Sequence, residues 1–253
     1  MTSGPVLFAR FAYPPNVLGY CGPDDHRALL EYGATGEEDG GLRELARGFE
    51  GAWPYLELIA AANHVADPLD RRVVEAYWIG NHLLDRVPPA LLGPSLEARF
   101  RGPAGPGWDH LAAVVGAGAR PHHAFHVFGV YPWVGLLRSG VVDQPLHVLD
   151  RCRVRWGRVL ACADGRAVVR CRPLAWDGRA LALGAPRVET ATAAEDATGF
   201  VADLTTGDWV ALHWDWVCER LTPRQLRSLR QVTAQQLALV NGMSRPAPAA
   251  VLA

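Results

Sequence analysis

The chain contains no lysine: all 25 of its basic residues are arginine. A Schiff-base lysine, a pyridoxal-phosphate enzyme and a Walker-type phosphate loop each need a primary amine, so all three are excluded. An excess of either charge is also missing. Twenty-five basic residues against 26 acidic ones leave a formal charge of −1, which removes the electrostatic basis for nucleic acid or an anionic membrane as the main partner. Cysteine is sparse and unpaired in pattern. Five residues (Cys21, Cys152, Cys162, Cys171, Cys218) form no CxxC and are odd in number, so a reduced chain is expected rather than a disulfide framework. The longest apolar run, Val127 to Leu137, is too short for a bilayer and contains Pro132. The first fifteen residues carry Pro5, Pro14 and Pro15 with no basic stretch ahead of an apolar core. No signal peptide is therefore expected, and the chain reads as cytoplasmic, without membrane insertion.

What is present points to a folded core. The 253 residues are 49% hydrophobic and include nine Trp, enough for one large domain or two small ones. The hydrophobic period changes near residue 145. Before it the pattern is helical. Asp24 or Asp25 caps a helix through Tyr32, and a longer helix spans 42–63 with a kink at Pro54. Another opens at Asp67-Pro68 and stops before Pro88-Pro89. Helices are also expected at 89–100, 108–116 and 121–138, with a Gly/Pro loop at 102–107. Tyr13 to Asp25 reads as a rigid loop. Gly116-Ala117-Gly118 imitates a dinucleotide-binding turn, but Pro121 stands where its third glycine belongs, and no βαβ unit follows.

After Gln144 the signals are those of short strands. His147 to Cys162 alternates, with Arg151, Arg153 and Arg155 opposite Cys152, Val154 and Trp156. Asp164-Gly165 and Asp177-Gly178 predict hairpin turns. A last strand is expected from Trp209 to Trp214. Thr222-Pro223 then caps a helix to about Asn241, with a frayed Pro/Ala-rich tail after Gly242. The expected architecture is α+β: a helical domain over 1–143, then a small OB-like antiparallel β-barrel with a closing helix over 144–253.

The segment Cys152-Arg153-Val154-Arg155-Trp156-Gly157-Arg158-Val159, a Cys four residues ahead of Gly-Arg-Val, resembles the opening of the HypC/HupF family of hydrogenase-maturation chaperones. Gly207-Asp208-Trp209-Val210-Ala211-Leu212-His213 is similar to the Gly-Asp-x-Val-x-x-His strand near the end of that family's barrel. The resemblance covers about 90 residues, Cys152 to Gly242. The first 143 residues resemble only uncharacterised bacterial proteins. What the resemblance implies is a non-enzymatic accessory factor for [NiFe]-hydrogenase maturation, working with a HypD-like scaffold protein or the immature hydrogenase large subunit. Its cargo would be iron as Fe(CN)2CO, with Cys152 as the iron ligand and His213 as its polar partner. A thiolate suits low-spin iron, and Arg151, Arg153, Arg155 and Arg158 would favour the thiolate. Two departures stand out: the Cys is internal, and Trp156 replaces the family's Pro before Gly.

A second set of metal-competent side chains lies upstream. His122 and His126 are four apart, with His123 between them, and Cys21 and His26 could join them. This supports an alternative, a metal-dependent enzyme centred on His122, His123 and His126. A third alternative is a binding module that has lost its iron chemistry, for which a deeply buried Cys152 would speak.

Overall fold

The computed structural model describes residues 2–104, 113 and 115–242. Its first helix, α1 (Gly4–Val17), starts with Pro5 in its first turn and is buried on nearly every side. The expected loop over 13–25 is therefore shorter. Pro14 and Pro15 form the last turn of α1, where a missing N–H interrupts few helical bonds because the helix is about to end. Asp25 caps α2 (His26–Thr35) by accepting from the Ala28 amide at 3.2 Å. The single helix expected over 42–63 is two, α3 (Gly40–Arg47) and α4 (Trp53–Ala62). Pro54 does not kink a continuous helix but starts a new one, the position where proline costs nothing. Asp70, rather than Asp67-Pro68, caps α5 (Arg71–Trp78), and a 3-10 turn follows over His82–Arg86.

Helix α6 runs Pro89–Ala104, so Gly102 to Ala104 belong to a helix and not to the expected loop. The rest of that loop lies outside the described residues, as does the tail after Gly242. So does the helix expected at 108–116, apart from helical residues 113, 115 and 116. The helix expected over 121–138 is broken into a short turn at His123–Phe125, a π-turn at His126–Val130, and α7 (Trp133–Arg138).

The largest local correction concerns 147–154. Residues Asp143–Cys152 form helix α8, not a strand. Its buried positions Pro145, Val148, Leu149 and Cys152 repeat at helical spacing, and Pro145 sits in the first turn. The strand alternation starts only at Arg155.

Five strands make the main sheet: β1 (Arg155–Ala163), β2 (Arg166–Cys171), β5 (Arg187–Thr192), β8 (Trp209–His213) and β9 (Trp216–Arg220). Their order is β1-β2-β5-β9-β8, and β8 pairs back onto β1, so the sheet closes on itself. Asp164 and Gly165, both at positive φ, turn β1 into β2. Asp177 holds the turn between β3 (Leu174–Trp176) and β4 (Leu181–Leu183) by accepting from the Arg179 and Ala180 amides. Two-residue strands β6 (Ala194–Glu195) and β7 (Thr198–Gly199) pair with each other. The strand expected over 209–214 stops at His213. Trp214 adopts φ 51°, and the chain returns as β9, which the reading of the sequence missed. The closing helix α9 (Pro223–Asn241) carries the full capping box between Thr222 and Gln225.

The interior of the closed sheet is filled by Val159, Ala167, Val169, Ala191, Val210, Leu212 and Val217. A larger core gathers α1 and α3–α5 onto the outer side of the sheet at Val154, Trp156, Ala211 and Trp216. A third packs α8, the π-turn and α9 around Phe128, Leu149 and Trp214. Residue Cys152 belongs to this third core, while β8 turns Val210 and Leu212 into the first and Ala211 into the second. No helix among the described residues is long and apolar enough to cross a membrane.

Candidate metal centre

The site begins with a proline. Residue Pro15 has no N–H, so the Phe11 carbonyl four residues earlier receives no intrahelical hydrogen bond. His213, the last residue of β8, supplies the missing donor: its Nδ1 lies 2.6 Å from the Phe11 oxygen. A carbonyl can only accept, so Nδ1 carries the proton and Nε2 keeps its lone pair. That Nε2 is buried and makes no hydrogen bond of ordinary geometry, although the Cys152 backbone lies close enough to favour a proton on the ring.

Beside the His213 ring stand a thiol and a second imidazole. One ligand atom each from His123, Cys152 and His213 lie within 4.8 Å of one another, and all three residues are buried. Cys152 arrives from the last turn of α8, and His123 from the short helical turn that precedes the π-turn. The His123 Nε2 is 2.7 Å from the Cys152 carbonyl oxygen and 4.0 Å from its Sγ, while Nδ1 is 3.4 Å from the Tyr77 hydroxyl. Trp78 stacks at an angle against both imidazoles, with ring centroids 4.6 and 5.5 Å away. The rings of His123 and His213 meet edge to face at 5.0 Å.

Burial sets the protonation states. It pushes His123 down to about 4. His213 is held well below its ordinary range, by burial first and then by the neighbouring His123. Both are neutral at physiological pH and so already in the form that binds metals. Burial also raises the Cys152 thiol, with Cys21 adding to the effect, so a proton stays on sulfur until a cation displaces it. The arginines do not act as expected. Arg153 is paired with Asp150 and bonded to the Arg172 carbonyl. Arg155 is paired with Glu189 and bonded to the Trp214 carbonyl, and Arg151 is paired with Asp215 and Glu189. Arg158 is exposed on β1. The charge of Arg151, Arg153 and Arg155 is spent on carboxylates, and burial and Cys21, not an arginine, set the Cys152 thiol.

Two imidazoles and a thiol are a borderline-soft donor set suited to Zn2+ or Fe2+. Bond lengths of about 2.0 Å to nitrogen and 2.3 Å to sulfur would require the cluster to contract by about 1 Å. Residue His123 would also move its proton from Nε2 to Nδ1, where the Tyr77 oxygen can accept it. The residues fit a metal ion with that adjustment.

Of the upstream histidines, only His123 joins the cluster. His122 caps the turn, its Nδ1 accepting from the Ala124 amide at 2.9 Å. His126 bonds Tyr55 through Nδ1 at 3.2 Å and packs edge-on to Tyr131. No three-ligand group among the described residues contains either. The cause is the break in the helix, which removes the i, i+4 geometry expected of the pair. His26 is exposed at the start of α2. Cys21, by contrast, lines the same cavity as Cys152, His123 and His126, a narrow space of about 70 Å3 walled by Phe49, Tyr77, Trp78 and Tyr131. It opens on a wider cleft of about 570 Å3 that holds Glu50. The aromatic wall was invisible in the sequence, since its members come from three separate segments.

No curated protein and no solved structure matches the chain. Residues 1–247 match a family model described as a family of unknown function, DUF6390. The match runs through the helical part and the closed sheet alike, and the chain belongs to that family.

Proposed function

We propose that this protein is a metal-handling accessory factor that binds a divalent transition metal ion through Cys152, His213 and His123. The observation that carries this reading is the meeting of ligand atoms from His213, Cys152 and His123 within 4.8 Å of one another, with His213 oriented by the Phe11 carbonyl and both imidazoles neutral. The cluster is buried yet reached through the aromatic cavity at Cys152, as a site that loads and releases cargo requires. The closed five-stranded sheet with its capped helix is compatible with the small OB-like barrel of hydrogenase-maturation chaperones. The proximity of Cys152 to His213 is what that resemblance asks for. On this reading the metal is iron, the setting is [NiFe]-hydrogenase assembly, and the partner is a HypD-like scaffold protein or the immature large subunit. The protein itself is not an enzyme.

The test is metal analysis of the full chain purified from cells supplied with iron and zinc, beside Cys152→Ser and His213→Ala. About one metal per chain, lost in both variants, is expected. Metal-free wild-type protein that takes up neither ion would refute the metal site. Full hydrogenase activity in native cells carrying only Cys152→Ala would refute the role in maturation. A metal-free binding module is the second reading, favoured by the burial of Cys152 and its protonated thiol. It predicts the metal-free outcome.

A further inference from the structure

We propose that an arginine-bearing outer face of the closed sheet, built from Arg158, Arg170 and Arg230, docks the acidic loop between α2 and α3 of a second copy of this chain. The inference is independent of the metal centre.

The face follows from strand register. Val159, Val169 and Val210 point into the closed sheet. Side chains alternate along a strand, so their neighbours Arg158, Arg170 and Trp209 point outward. Pairing sets Arg158 directly opposite Arg170 on one side and Trp209 on the other, and Val188 continues the row beyond Arg170. Both arginines are exposed, as is Val188. The Arg230 guanidinium, from α9, lies over the Trp209 ring, 4.8 Å from its centroid. Other arginines of these strands are satisfied: Arg155 by Glu189, Arg166 by Thr192, Arg187 by Asp150 and Glu189, and Arg220 by Asp208. Among the described residues, Arg158, Arg170 and Arg230 have no carboxylate partner. Like charges directly opposite each other destabilise a sheet, and a carboxylate seated between them would remove the repulsion. Trp156 and Trp209 are already taken up by guanidinium groups rather than held ready for bases, which favours a protein partner over nucleic acid.

The complement is on the same chain. Residues 144–253 hold 14 arginines and 10 acids, whereas residues 1–143 hold 11 and 16. The acids gather at Asp24, Asp25, Glu31, Glu37, Glu38 and Asp39, all exposed, with Arg27 the only arginine among them. Asp25 and Asp39 cap helices. Glu37 and Glu38 stand side by side in the loop after Gly36, which ends α2 at φ 76°, and neither has a cationic partner among the described residues. Two adjacent carboxylates thus match two facing guanidiniums. The two surfaces differ, so the contact is heterologous and joins copies head to tail.

The experiment is sedimentation equilibrium of the full chain at neutral pH. At about 0.01 M salt, where charges act over about 30 Å, the weight-average mass should climb with concentration above that of one chain; at about 1 M, where the reach is about 3 Å, it should return to one chain. Arg158→Glu/Arg170→Glu and Glu37→Arg/Glu38→Arg should each be monomeric alone. An equal mixture should associate, because every loop then meets a face of opposite charge on the other variant. Arg86→Glu/Arg179→Glu makes the same charge change at exposed arginines off this face and should associate as wild type does. Circular dichroism checks that each variant folds; if a reversal does not, Arg158→Gln/Arg170→Gln should still lower the mass. A wild type that stays monomeric at low salt, face variants that associate alone, or a mixture that does not, would each overturn the proposal. A monomeric wild type whose face binds a labelled Glu-Ser repeat peptide, or oligo(dT), would overturn it too, by giving the face to another acidic protein or to nucleic acid.

Discussion

Acidification should unfold this protein unusually early, because three of its imidazoles are buried without charge. Burial lowers His122 to about 3 and His123 to about 4, and His213 lies well below its ordinary 6.5. A histidine whose folded value is depressed stabilises the fold above its unfolded value. That stability is lost as pH falls below about 6.5, since the unfolded chain then binds protons the folded chain refuses. Between about pH 8 and about pH 5, each such group costs about 2 kcal/mol, or about 6 kcal/mol for the three together. That is comparable to the whole stability of many domains, which is about 5–15 kcal/mol. The carboxylates with lowered values (Asp39, Asp70, Asp177, Glu189) stabilise above their unfolded range and weaken only below it, so they lie mostly outside this window. Urea titrations followed by tryptophan fluorescence at the two pH values measure the difference directly. His122→Asn keeps an acceptor for the Ala124 amide and should remove about a third of the pH dependence. A total change below about 2 kcal/mol, or no effect of His122→Asn on the slope, would show that these imidazoles titrate normally and refute the reasoning.

Two other substitutions probe the frame of the site. Pro15→Ala restores an amide that competes with His213 Nδ1 for the Phe11 carbonyl, so metal affinity should fall by about 10-fold while thermal stability holds or rises; metal titration beside thermal melts checks both. Glu189→Ala strips the carboxylate from Arg155, whose guanidinium is only 1% exposed, and should cost about 3–5 kcal/mol. Replacing Arg155 and Glu189 together by apolar residues should recover most of that loss in urea denaturation.

Much of the fold was written locally. Asp25, the Thr222-Pro223 pair and the Asp164-Gly165 turn each act on their own few residues, and the structure uses them as the sequence suggests. Local signals misled where two periods overlap. Residues 147–154 alternate like a strand, yet Pro145, Val148, Leu149 and Cys152 also share a helical face. Burial against Phe128 and Trp214 decided for the helix. The double proline at 14 and 15 looked like a loop because its cost to a helix depends on what happens to the freed carbonyls. For Phe11 that answer lies 202 residues away, at His213.

The candidate centre divides in the same way. Cysteine at 152 and histidine at 213 could be singled out in the chain, because a thiol and an imidazole in a recurring pattern are recognisable chemistry. Choosing His123 over His122 and His126 could not be done there. The choice follows from where a π-turn breaks the helix and from which ring reaches the end of α8. The cavity, its neutrality and the presence of Cys21 on its wall arise only when the helices pack onto the sheet. Side-chain identity is a property of the sequence, whereas dielectric surroundings and ligand distances are properties of the packed whole.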